Sequence, residues 1–258
     1  MLPEDLLRFL DVLVWVEGSI YQLDEDNERL TGRGGLDQEH AAAGVARILG
    51  VLRQEGHLDE RVERELQQGL LYWSWEQDIC RRLLAAPRPL DVPAALTGEE
   101  VIRCHEAKSF DYRVLFLLLC RLSSTPCDET LLSFLRLDEM LVDISDDLVD
   151  YEDDVLANSF NVFRCYIHLH GRSAGLKLVG GRDPAERISD LERRHRELLS
   201  RLAPQLQEHY WRRHEEACEG QGQSVQAGGR AGGTGFGRDP KGSGVNGNRV
   251  ATRGAQLQ

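Results

Sequence analysis

The sequence predicts an all-α protein, a single helical bundle with a disordered Gly-rich C-terminal tail. Three observations carry the helical part. No stretch sustains the period-two alternation of a half-buried strand. Apolar residues recur instead at steps of three and four. Helix-capping residues and prolines punctuate those stretches at helix-length intervals. At 258 residues and 41% hydrophobic, the chain can bury a sizeable core.

Each element has a local reason. Pro3, Glu4 and Asp5 suit a first helical turn, and that helix is expected to end near Tyr21. A polar break is expected through Gly35. Asp37 caps a helix to about Gln54. The next runs from about Leu58 to Leu84 and stops before Pro87-Arg88-Pro89. Thr97 and Glu100 make a capping box, and Ser109 is placed to cap Tyr112 to Leu122. Asp128 caps a short helix, followed by a long one from Asp138 to His170. Asp183-Pro184 with Glu186 starts the last helix, which Pro204 should kink. The bundle is expected over 1–218. From Glu219 to Gln258 the chain holds 12 of its 25 glycines and few large apolar groups, so this stretch is expected to be disordered.

Composition excludes several classes. There are 31 Lys+Arg against 43 Asp+Glu, a formal charge of −12. Such a chain repels nucleic acid. No run reaches the roughly 20 apolar residues of a membrane helix. The six cysteines form no CxxC pair and read as reduced, buried thiols. The expected setting is intracellular, cytoplasmic by default.

The segment from Asp138 to Asp154 carries nine acids and no base. At about 100° per residue, Asp153, Asp146, Glu139, Asp150, Asp143, Asp154 and Asp147 share one side of a helix. Met140, Leu141, Val142, Ile144, Leu148, Val149, Tyr151, Val155 and Leu156 fill most of the rest. A surface helix normally has the narrower apolar stripe, so this one is expected to be central. Its acids then need water, a cavity or cations. Like charges four apart repel on a helix, and hard divalent cations relieve them. Asp146, Asp150 and Asp154 stand four apart on one face. The bland alternative is an acidic face on water.

The string Asp146-Asp-Leu-Val-Asp150-Tyr-Glu-Asp-Asp154 resembles the second metal-binding motif of class I terpene synthases. The same residues contain the DDxxD pattern (Asp146, Asp147, Asp150) of isoprenyl diphosphate synthases. The resemblance implies an all-α bundle of the isoprenoid-synthase type, with two acidic helices facing a central cavity. It implies Mg²⁺, with Mn²⁺ as a substitute, held by Asp146, Asp150 and Asp154 with Asp147 supporting. The implied first motif is Asp24, Glu25 and Glu28. The implied substrate is a prenyl diphosphate, gripped by Arg113, Arg164 and Arg212, whose diphosphate leaves to give a carbocation. Trp73 and Trp75 are the implied cavity-lining aromatics, with core packing as their bland reading.

Two departures stand beside the resemblance. Glu replaces Asp twice in the first motif, and only 23 residues precede it, so the domain is expected to be short at its N-terminus. These favour an alternative in which the fold persists without catalysis. The protein would then be a regulatory or partner-binding subunit, with a second copy or another protein as partner. A third expectation is an acidic helical adaptor meeting a basic partner.

Overall fold

A computed structural model describes residues 7–33, 37–85, 96–170 and 184–228, by backbone alone at 184–186 and 217–228. The chain divides into two compact units, Met1–Arg201 and Leu202–Gln258. Among the described residues every regular element is a helix. The first unit holds α1 (Leu10–Gly32), α2 (Gln38–Gln54), α3 (Glu60–Ala85), α4 (Gly98–Ala107) and α5 (Phe110–Leu122). It continues with α6 (Glu129–Val149), α7 (Tyr151–Ala157), α8 (Val162–His170) and α9 (Pro184–Leu199). The second unit holds α10 (Pro204–Gly228).

The caps behave as the sequence predicts at α2, α4 and α6. Asp37 accepts from His40 N at 3.1 Å. Thr97 and Glu100 satisfy each other reciprocally. Asp128 accepts from the backbone N–H groups of Thr130 and Leu131. Each such cap stabilises its helix by about 1 kcal/mol.

The break expected after Tyr21 does not occur, and α1 runs through it. Its polar residues pair locally: Arg29 meets Glu25 at 2.7 Å and Asp26 at 2.6 Å. Leu23, Asn27 and Thr31, at four-residue steps, stay buried. The expected start at Pro3 lies outside the described residues.

Helix α3 is the centre of the unit, packing against α1, α2, α4 and α5. Its buried positions include Val62, Leu66, Tyr72, Trp73, Ile79 and Leu83. One contiguous core joins them to Val16, Ile48, Val101, Val114 and Leu118. Gly69 lets α5 approach closely, since a Cβ there would lie 2.3 Å from the Phe110 ring. Phe110 meets Trp73 edge-on with centroids 5.3 Å apart, a contact worth ~1 kcal/mol beyond its buried area.

The acidic helix is therefore not the central one. It packs on α5, α8 and α9, and a smaller apolar cluster of Leu137, Met140 and Leu191 joins it to α9. The expected short helix and long helix to His170 are also redrawn. One helix runs to Val149, Asp150 departs from helical ψ (φ −91°, ψ 10°), and α7 ends at Asn158 in the left-handed region (φ 57°).

Pro204 opens a helix rather than kinking one. It is the first residue of α10, where its missing N–H costs nothing. Helical backbone continues to Gly228, past Glu219. Asp183 and residues 229–258, where a cap and most of the disordered tail are expected, lie outside the described residues. The five cysteines with described side chains (Cys80, Cys104, Cys120, Cys127 and Cys165) are free. No described helix is long and apolar enough to cross a membrane.

Candidate functional site

The inward face of the acidic helix is Glu139, Asp143 and Asp147, which are buried, with Asp154 buried on α7. On a regular helix this direction is rotated by about 20–100° from Asp146. Asp146 lies at the edge of that range, and the helix departs from regular geometry at Asp150. Asp146 is exposed, Asp150 is half-buried at the break, and only Asp154 of the three is inside. They do not converge as one carboxylate set.

The inward acids already have partners. Lys108, at the end of α4, places Nζ 2.9 Å from Asp147 and 3.6 Å from Asp143. Ser109 adopts the left-handed region instead of capping α5. Its hydroxyl donates to Asp143 at 2.9 Å. The second Asp147 oxygen accepts from Val162 N at 2.7 Å. Asp154 accepts from Asn161 Nδ2 at 2.9 Å. Burial pushes the Glu139 carboxyl well above its usual range, while Arg113 beside it pulls the other way.

The first expected motif splits likewise. Glu25 points outward to Arg29. Asp24 is half-buried and accepts from Trp73 Nε1 at 2.9 Å. Glu28 is half-buried. Beneath them lies Glu76, fully buried on α3. Burial, then the charges of Asp24 and Glu28, push its carboxyl up to about 8, with Lys108 opposing. Glu76 accepts from Asn27 Nδ2 at 2.6 Å and from Phe160 N at 3.4 Å. Burial raises the Tyr72 phenol most, and Glu76, Asp24 and Asp143 add to this.

The expected diphosphate-binding arginines are engaged elsewhere. Arg113 is buried, with Nε 2.9 Å from Glu65 and Nη1 3.5 Å from Glu139. Arg164 is buried and donates to Asn158 Oδ1 at 2.6 Å and to the Ser159 carbonyl at 2.9 Å. Arg212 is exposed and belongs to the second unit. Trp73 is core. Trp75 lines a cavity of about 120 Å³ with Asp78, Arg82, Glu100 and Arg103. A cavity of about 310 Å³ lies against Gln38, Ala41, Leu70, Trp73 and Gln77. Neither is lined by the acids of α6 or by Asp24.

Sequence reasoning missed Glu76, Lys108 and Ser109 as neighbours of these acids. A lone Glu, Lys or Ser carries no motif. Asp143 carried a usable signal, since it stands four residues from both Glu139 and Asp147.

Comparison with known proteins returns no match, whether to a family model, to a curated protein or to a solved structure. Among the described residues, no group of three or more His, Cys, Asp and Glu side chains is arranged to hold a metal ion. The residues present therefore do not fit the Mg²⁺ set that the resemblance implies.

Proposed function

We propose that the protein is a non-catalytic helical protein of the isoprenoid-synthase type, acting as a partner-binding or regulatory subunit. The observation that carries this reading is the Lys108 ammonium between Asp143 and Asp147. A tethered cation competes with any divalent ion for those two carboxylates. Displacing it strands an ammonium in a setting where desolvated charge costs several kcal/mol. Arg113 and Arg164 support the same reading, because each already serves buried protein oxygens.

The second reading is Mg²⁺-dependent ionisation of a prenyl diphosphate. Asp24, Glu28, Asp143 and Asp147 favour it by carrying more negative charge than the single Lys108 offsets. Calorimetry separates the two. The full chain is titrated with inorganic diphosphate, with and without Mg²⁺, as wild type and as Asp147→Asn and Asp146→Ala/Asp150→Ala variants. The expected result is no Mg²⁺-dependent binding. Saturable binding that needs Mg²⁺ and is lost in either variant would sink the non-catalytic reading and establish the second.

A further inference from the structure

The acidic helix leaves an apolar stripe on its outer side. Val142, Val149 and Leu156 stand seven residues apart, the heptad step at which side chains return to one helix face. Their exposures are 38%, 82% and 84%. Asp146 and Asp153, also seven apart and exposed, alternate with them. The departure at Asp150 falls between Val149 at the end of α6 and Leu156 on α7. Asp150 N donates to the Asp146 carbonyl at 2.8 Å and Asp154 N to the Asp150 carbonyl at 2.9 Å, so i→i−4 bonds flank the departure on both sides. The stripe spans four turns, about 21 Å at 1.5 Å per residue. Val149 and Leu156 are largely exposed and Val142 partly so, and contiguous exposed apolar surface marks contact sites.

We propose that this stripe is the docking face for an amphipathic helix of a partner protein, apolar at its own a and d positions and flanked by Lys or Arg. The proposal rests on the partner-binding reading above and names the partner's chemistry. Charge complementarity selects the occupant. From Leu137 to Phe163 the chain has no Lys or Arg, while Asp146, Glu152 and Asp153 are exposed beside the stripe. A second copy docked through the same face would set acid against acid, which is repulsive. An anionic membrane is repelled for the same reason. The chain's own residues 219–258 are basic, but their sequence has few large apolar residues to meet the stripe.

The test uses a labelled three-heptad peptide with Leu and Ile at a and d and Lys at e and g. Its binding to the full chain is followed by fluorescence anisotropy, beside the same peptide with Glu in place of Lys. Val149→Asp/Leu156→Asp and Asp146→Lys/Asp153→Lys are compared with wild type after circular dichroism shows them folded. The Lys peptide should bind wild type, lose at least about tenfold in affinity with either variant, and weaken from about 50 to 300 mM salt. The Glu peptide should not bind. Absence of binding, equal binding by the variants, or binding of the Glu peptide would overturn the proposal. So would a wild-type dimer in sedimentation that Val149→Asp/Leu156→Asp dissolves, which makes a second copy the occupant. A tenfold gain in peptide affinity on deleting 229–258 would make the chain's own end the occupant. Mg²⁺-dependent diphosphate binding would sink the non-catalytic reading without touching any of these outcomes.

Discussion

Asn27 donates through Nδ2 to Glu76 Oε2 at 2.6 Å, joining α1 to α3 across 49 residues of chain. Gln77 Nε2 in turn donates to Asn27 Oδ1 at 2.7 Å, which fixes the amide's orientation. The carboxyl that receives this bond is fully buried beneath Asp24 and Glu28.

Glu76 makes stability pH-dependent in a defined direction. Its carboxyl is pushed from an ordinary value of 4.5 up to about 8 in the folded chain. Between those values the unfolded chain has released the proton and the folded chain keeps it. Stability therefore falls as pH rises from about 4.5 to 8 and levels off above. The Glu76→Gln variant removes this slope. Urea unfolding at intervals across that range should show its stability relative to wild type rising with pH, by on the order of 4 kcal/mol at the upper limit. A constant difference across the range refutes the assignment.

Removing Lys108 leaves Asp143 and Asp147 buried without their cation. Lys108→Ala should cost about 3–5 kcal/mol, the usual loss on breaking a buried ion pair from one side. Adding Asp147→Asn should recover part of that loss. Lys108→Ala should also acquire a thermal midpoint that rises with Mg²⁺ or Mn²⁺, whereas wild type should not respond. Calorimetric melts with and without each ion check both statements.

Asn158 combines a backbone demand with side-chain bonds. It holds φ at 57°, donates to the Thr31 carbonyl at 2.9 Å, and accepts from Arg164. Asn158→Gly keeps the conformation and loses the bonds; Asn158→Ala loses both. The glycine variant should be destabilised by about 1–3 kcal/mol. The alanine variant should lose roughly a further 1 kcal/mol. Equal stability of the two by chemical unfolding would exclude a conformational contribution.

Gly69→Ala brings a methyl against the face of α5. With Phe110 2.3 Å from the new carbon, the ring or the helix must shift. The expected cost is about 1–3 kcal/mol. The shift should also disturb Trp73, so its fluorescence is the second readout.

Much of the fold was legible because its signals are local. Asp37, Thr97-Glu100 and Asp128 announce helix starts through bonds made within three residues. The extension of α1 was less legible, since the pairs of Arg29 with Glu25 and Asp26 look in sequence like any polar stretch. The site was legible only in part. Acids surround much of one side of the α6–α7 segment, and nothing within that segment says which of them turns inward. Docking of α5 and α8 settles it, bringing Lys108, Ser109 and Val162 N against Asp143 and Asp147. Asp146, Asp150 and Asp154 are spaced as regularly, but Asp146 falls at the edge of that direction and the helix breaks at Asp150. Arg113 and Arg164 were read as open cations because their partners, Glu65 and Asn158, declare themselves only once the helices pack.

The bond from Asn158 to the Thr31 carbonyl has a consequence for biosynthesis. It spans 127 residues, so the end of α1 cannot be secured until that much more chain has been made. At about 5–20 residues per second, translation takes roughly 6–25 s to supply it. Through that interval Val16, Ile20 and Leu23 of the nascent chain lack part of their final enclosure. Helix α1, made before the other described helices, is thus completed late, and its apolar face is a stretch a chaperone would shield in the meantime.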